Sequence, residues 1–420
     1  MFRKTTLENG IRVVTEKLSG TQAVTVLILV GAGSRYETQE IRGISHFLEH
    51  MFFKGGNKYK NTKEVSEAID SVGGEFNAFT GKEYAGYYVK VAGENFKVAC
   101  DVLSDMLLNA KFPQVEIEKE RGVILEEFNM YQDTPMYQIG WNFEELVFGN
   151  QPLGWDQIGT KELINTVMHE DFKKYNGKLY TPDNLVIAVA GNVDHGNVVE
   201  MIGGCFDRLE GEKAYNFDGL KKIDGGRLSL KEKKTEQAHV ALGFPAYKES
   251  HPDYWALKLL SVILGGNMSS RMFLGVREAH GLAYYIHTSV DSYADSGLLV
   301  TNAGVDLKRI DQAITGIIEE YRKVRDEDVP EAELKKAKSY LKGKMILNLE
   351  DSEEFAHLLA KYELLRGGAV DPAEITKKID AVAVADVARV AKDIFKEEGM
   401  KLAVIGPYGE KERFEKLLKF

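Results

Sequence analysis

The chain has 420 residues, 44% hydrophobic and 28% charged, with 40 Gly and 9 Pro, a composition that excludes an intrinsically disordered or collagen-like chain. A formal net charge of −10 argues against an extended nucleic-acid groove, so no nucleic-acid partner is expected. Two cysteines, Cys100 and Cys205, are too few for a disulfide framework, and their apolar surroundings read as those of buried free thiols.

The first residues carry no apolar stretch of signal-peptide length. The longest apolar run, Ala23 to Gly33, falls well short of a membrane span. The expectation is a soluble cytoplasmic protein. Strands open the chain: Gly10 to Glu16 alternates, and Ala23 to Val30 is β-branched and nearly continuous. Helical patterns follow at 43–54, 62–72, 95–109 and 114–131, and Leu185 to Gly191 returns to a strand. The polar stretch after Glu210 marks an interdomain boundary, giving domains at 1–212 and 229–420 joined by a linker at 213–228.

The second half repeats the plan of the first. A strand at His239 to Phe244 precedes a helix at Tyr254 to Leu264; Phe52-Phe53-Lys54-Gly55-Gly56 has a counterpart in Val262-Ile263-Leu264-Gly265-Gly266; Val189-Ala190-Gly191 matches Val404-Ile405-Gly406. Spacing that drifts by only a few residues fits a duplication. The order of strands, helices and strands predicts an α+β fold of two homologous domains, each a mostly antiparallel sheet packed with helices.

Chemistry concentrates in Gly43-Ile44-Ser45-His46-Phe47-Leu48-Glu49-His50. His46 and His50 are four apart on a helical pattern, so they share a face and can grip one metal ion. Glu49 lies on an adjoining part of that surface, where its carboxylate can act as general base toward a metal-activated water. The order H-x-x-E-H is the inverse of the commoner zinc-peptidase motif. Two imidazoles leave a catalytic zinc one protein ligand short, and a carboxylate is the usual third. In the helix beginning at Glu116, Glu120 and Glu127 share a face while Glu126 points about 100° away. Either of the pair could ligate, with the other hydrogen-bonding a ligand imidazole.

These residues, His46-Phe47-Leu48-Glu49-His50 followed by Glu120-Arg121-Gly122-Val123-Ile124-Leu125-Glu126-Glu127, resemble the pitrilysin family of inverzincin metallopeptidases, which includes insulin-degrading enzyme and the mitochondrial processing peptidases. The resemblance implies one Zn2+ per chain held by His46, His50 and Glu127, with Glu49 as general base and Glu120 behind an imidazole. It also extends to Gly74-Glu75-Phe76-Asn77-Ala78-Phe79-Thr80, which looks like the family's substrate-pairing edge strand and offers Asn77, Ala78, Phe79 and Thr80. The glycine-rich segment around Gly265 and Gly266 and the pair Arg277 and Tyr284 match further substrate-binding features, the pair being the donors used on substrate carbonyls. Carried across the repeat, His46, Glu49 and His50 fall on Ala256, Leu259 and Leu260, and Glu127 falls on Lys344, so the second domain is expected to lack a metal site.

The expected activity is that of a zinc-dependent endopeptidase acting on extended or unfolded peptides. The rival expectation is a non-catalytic assembly or scaffold subunit that keeps the fold. In the family, two such two-domain halves face each other, with the arginine–tyrosine pair coming from the half opposite the zinc. A chain carrying both sets therefore implies a homodimer with composite active sites, the alternative being an inactive homologous partner.

Overall fold

The computed structural model describes residues 2–222 and 225–420. The strands of the first sheet are β1 (Arg3–Thr6), β2 (Arg12–Lys17), β3 (Ala23–Val30), β4 (Glu75–Thr80), β5 (Ala85–Ala92) and β6 (Leu185–Gly191), with β3 the β-branched run read from the sequence. Further along come β7 (Leu228–Glu232), β8 (Ala238–Ala246), β9 (Ala283–Ser292), β10 (Gly297–Val305) and β11 (Lys401–Gly406). The helices that matter below are α1 (Ile44–Phe52), α2 (Thr62–Asp70), α3 (Phe96–Leu108), α4 (Gln114–Asp133), α5 (Pro135–Phe148), α6 (Lys161–Thr166), α7 (His169–Leu179) and α8 (His195–Phe206). In the second repeat they are α9 (Tyr254–Gly265), α10 (Ile310–Asp326), α11 (Glu331–Asn348) and α12 (Ser352–Arg366). Among the described residues no helix is long and apolar enough to cross a membrane.

The first sheet runs β1-β2-β6-β3-β5-β4 and the second β7-β11-β8-β10-β9. Apart from β1, the second order repeats the first strand for strand. In both, one parallel pair (β2 with β6, β7 with β11) joins an otherwise antiparallel sheet. The fold is α+β in two domains, and β4 and β9 occupy equivalent edges.

Two compact units emerge, and neither is a continuous half of the chain. One comprises residues up to Asn129, Asp156–Asp218 and Ile346–Pro372; the other comprises Met130–Trp155, Gly219–Met345 and Ala373–Phe420. In the first unit, Leu27, Leu29, Val186, Ala188 and Val14 of the sheet pack with Ala356, Leu359 and Ala360 of α12. In the second unit, Ala241, Leu298, Val300, Ala403 and Ile405 pack with Ile139, Phe143, Val147 and Phe148 of α5. Each sheet thus buries one apolar face under a helix that the linear division 1–212 and 229–420 assigns to the other repeat. A sheet with two apolar faces needs a helix on each, and the hydrophobic pattern is satisfied equally by a helix near in sequence or far from it.

The expected linker is anchored where it is described. Within the first unit, Lys213 Nζ donates to the Tyr36 hydroxyl at 3.0 Å, the Tyr215 hydroxyl donates to the Tyr36 carbonyl at 3.2 Å, and the Arg35 guanidinium lies 4.0 Å from the Phe217 ring centre. Within the second, the Leu220 N–H donates to Asp295 at 2.8 Å and the Lys221 N–H to Gln151 at 2.9 Å. Positions 223–224 of that segment lie outside the described residues. Cys100 is buried and free as expected; Cys205 is free but only half-buried, because its place on α8 faces partly outward.

Candidate metal and catalytic centre

Helix α1 is built to present three polar side chains. Phe47, Leu48, Met51 and Phe52 are buried, with the Phe47 ring 5.1 Å from Phe172 and the Phe52 ring 5.1 Å from Tyr87. That apolar face locks the rotation of the helix and leaves His46, Glu49 and His50 on the other side. The start of α1 is equally determined. Gly43 at the N-cap has φ 104°, and a Cβ there would stand 2.6 Å from the Cα of Gly159, so the close backbone approach demands glycine.

The orphan donors of the first turn are met by Glu37. Its buried carboxylate accepts from the Gly43 N–H at 2.7 Å, from the Ser45 N–H at 2.9 Å, and from the Ser45 hydroxyl. Burial pushes the Glu37 carboxyl up to about 7 despite these donors, with Asp156 adding to the rise. Tyr175 and Tyr215 are close enough to feel its charge. Because the folded value is raised, the stability linked to this group is complete below the ordinary carboxylate range and is lost as pH climbs to about 7. A Glu37→Gln variant is expected to be less stable than wild type throughout, since one oxygen acceptor is gone. Its deficit should shrink between pH 5 and 7.5 by about 2 kcal/mol. Thermal unfolding of both proteins at the two pH values checks this; a deficit that stays constant or widens would contradict it.

Glu127 arrives from α4. His46 Nε2 lies 3.6 Å from Glu127 Oε1, and His50 Nε2 lies 3.6 Å from Glu127 Oε2. The three side chains each offer a ligand atom within 4.8 Å of the other two, the one such trio of His, Cys, Asp or Glu among the described residues. Tetrahedral zinc at ordinary bond lengths separates its ligands by about 3.4 Å. The donor set, two imidazole nitrogens and a carboxylate, fits zinc in kind and in spacing.

Behind the trio stands Glu120, one helical repeat before Glu127. His50 Nδ1 lies 3.0 Å from Glu120 Oε1, which places the proton on Nδ1 and turns the Nε2 lone pair toward Glu127. Lys54 ion-pairs with the other oxygen of Glu120. Burial pushes the Glu120 carboxyl up, but hydrogen bonds from His50 and Lys54 outweigh it and hold the group below the ordinary carboxylate range. The motif by itself assigns Lys54 no role. Its signal is the spacing of four after His50, although α1 itself ends at Phe52 and Lys54 lies in the turn just beyond it. Glu37 left no comparable signal, because its partnership with the helix start depends on a turn. Glu126 is exposed on α4, away from the trio.

The strand residues Asn77, Ala78, Phe79 and Thr80 lie on β4 at the sheet edge. The Ala78 N–H is held by Asn77 Oδ1 at 2.9 Å, and the Thr80 hydroxyl donates to Glu49 Oε2 at 2.6 Å. In the second unit, Gly265 ends α9 hard against β9, where a Cβ would meet Thr288 Oγ1 at 2.3 Å. The Gly266 carbonyl accepts from the Tyr340 hydroxyl at 2.9 Å. Arg277 sits in a π-helical segment, Phe273–Glu278, with its guanidinium 4.6 Å from the Phe273 ring centre, and Tyr284 is 75% exposed on β9. Ala256, Leu259 and Leu260, the counterparts of the metal motif, are buried in α9, and Lys344 is exposed.

Comparison with known proteins matches residues 12–161 to the insulinase model, peptidase family M16, and residues 166–341 to the M16 inactive domain. An uncharacterized zinc protease of Bacillus subtilis, YmxG, is 37% identical over 97% of this chain and 99% of its own length. The chain belongs to peptidase family M16. A further uncharacterized zinc protease, from Streptomyces coelicolor, is 36% identical over 98% of this chain and 90% of its own. Among solved structures, a protease from Helicobacter pylori aligns with a TM-score of 0.90 at 26% identity, covering 97% of this chain and 99% of that one. An M16 inactive domain from Pseudomonas fluorescens aligns with a TM-score of 0.89 at 16% identity, a likeness of fold alone. The inactive-domain match overlaps the repeat in which apolar residues replace the motif, so within this M16 chain the trio belongs to the first repeat.

Proposed function

We propose that this M16 protein is a zinc-dependent endopeptidase that cleaves extended or unfolded peptides. The reading is carried by the convergence of His46, His50 and Glu127 with Glu49 on the adjoining helix face, and the zinc-protease relatives support it. When bound, one zinc per chain supplies Lewis-acid activation of water and of the scissile carbonyl. His46, His50 and Glu127 hold it, and Glu120 fixes the tautomer and tilt of His50. Glu49 takes the proton of the attacking water and delivers it to the leaving amine. Arg277 and Tyr284 hydrogen-bond the substrate carbonyls and stabilise the developing negative charge. The outer edge of β4, the terminal strand of its sheet, takes the peptide backbone as an added strand, which makes side-chain preference loose.

The non-catalytic scaffold reading is disfavoured by the intact set at all five metal-side positions. Carriage of both the metal motif and the arginine–tyrosine pair on one chain supports a homodimer with composite sites over a pairing with an inactive partner.

The test is hydrolysis by the zinc-loaded protein. An unstructured peptide should be cut at least about 100-fold faster than the same sequence inside a disulfide-locked domain, because strand addition needs a free backbone. Equal rates on both would count against the β4 docking mode, and no cleavage of any peptide would return the scaffold reading.

A further inference from the structure

We propose that Thr80 is the positioning residue of the Glu49 carboxylate and that it ties the base to the strand on which the peptide docks. The inference rests on the assignment of Glu49 as general base.

Its first support is the contact itself. The Thr80 hydroxyl has one proton, and the short hydrogen bond, 2.6 Å, goes to Glu49 Oε2; the Ser45 carbonyl at 3.5 Å is a distant second acceptor. A hydrogen bond from a hydroxyl to a carboxylate is among the stronger neutral-to-charged contacts. It fixes the plane of the carboxylate, which otherwise turns freely about a soft terminal torsion. Oε2 is thereby occupied, and among the described residues Oε1 accepts no hydrogen bond. One oxygen is anchored and one is left to take a proton.

The second support is where Thr80 sits. Side chains alternate along β4. Phe76 faces the C-terminal end of α1, its ring 5.5 Å from Phe53 at the helix cap, while Phe79 faces α12, its ring 5.5 Å from His357. Thr80 shares the side of Phe76, so its hydroxyl is directed at α1 while its backbone belongs to the sheet edge. A β-branched side chain is stiff at χ1, so the hydroxyl moves with the backbone that carries it. A peptide that pairs with β4 therefore orders the segment that aims the base. A side chain committed to Glu49 is not available to read the substrate, which distinguishes this role from the substrate contact implied by resemblance.

The experiment uses the full-length zinc-loaded protein and a fluorogenic unstructured peptide, with Thr80→Val, Thr80→Ser, Glu49→Gln and the double variant Glu49→Gln/Thr80→Val. Valine keeps the shape and strand preference and removes the hydroxyl. Thr80→Val is expected to lower kcat about 10- to 100-fold, the range seen when a ligand-orienting partner is removed. Zinc content and melting temperature should stay at the wild-type values, and KM should hold within about twofold, as for loss of a contact that acts only in the transition state. Thr80→Ser should recover kcat to within about threefold of wild type, since the donor is restored. Added to Glu49→Gln, the valine should cause no further loss, because the two residues act as one unit.

Four results would overturn the proposal: a wild-type kcat in Thr80→Val, a raised KM with kcat kept, a serine variant as impaired as the valine one, or an equal loss from valine on the Glu49→Gln background. Full activity in Glu49→Gln would instead overturn the base assignment, and that outcome is read independently from the single variant.

Discussion

Replacing Glu49 by Gln is expected to lower peptide hydrolysis by about 10²- to 10⁴-fold, the contribution of a positioned general base, while zinc content stays at the wild-type level. Glutamine keeps an oxygen that can accept from Thr80, so the local packing survives, but it cannot take a proton from water. The ligands should behave differently. His50→Ala removes a ligand atom from the trio and Glu127→Gln replaces its anionic carboxylate by a neutral amide, and either is expected to abolish zinc retention along with activity. Glu120→Gln is expected to fall between these cases, weakening zinc affinity by about 10- to 100-fold, because His50 loses the carboxylate that orients it. Metal analysis after dialysis against a chelator, run beside the activity assay, separates the three classes. Loss of zinc in Glu49→Gln would make Glu49 a ligand and sink its assignment as base.

The second large effect concerns assembly. If the sites are composite, a Glu49→Gln chain and a Tyr284→Phe chain are each defective alone, yet a mixed dimer holds one site with both residues intact. Tyr284 is 75% exposed, so the phenylalanine variant should fold as wild type does. Random exchange makes half of the dimers mixed, and activity should rise to about a quarter of the wild-type value, far above either parent. Native mass spectrometry confirms exchange. Confirmed exchange without rescue would show that each chain completes its own site, or that the partner is a different protein.

The grouping of the candidate metal ligands is legible in the sequence because helical geometry is local. A spacing of four residues puts His46 and His50 on one face whatever the rest of the chain does, and a spacing of seven does the same for Glu120 and Glu127. The duplication was legible for a similar reason, since two stretches with the same order of apolar runs and glycines must build the same sheet, and the two strand orders agree. That Ala256, Leu259 and Leu260, the counterparts of His46, Glu49 and His50, cannot ligate a metal follows from residue identity alone, as leucine and alanine side chains offer no lone pair.

Other features depended on chain segments that meet only after folding. Sequence could not choose between Glu120 and Glu127 as the partner of the imidazole nitrogens; the placement of α4 beside α1 sets Glu127 opposite both Nε2 atoms and Glu120 behind His50. Glu37 reaches the start of α1 through a turn, and Thr80 reaches Glu49 from a strand, contacts that no periodicity encodes. The exchange of α5 and α12 is the largest case. Their apolar faces specify that each must cover a sheet, but the hydrophobic effect is non-directional, so the pattern is silent on which one. That choice belongs to the long helices α4 and α11, each of which begins in one unit and ends in the other.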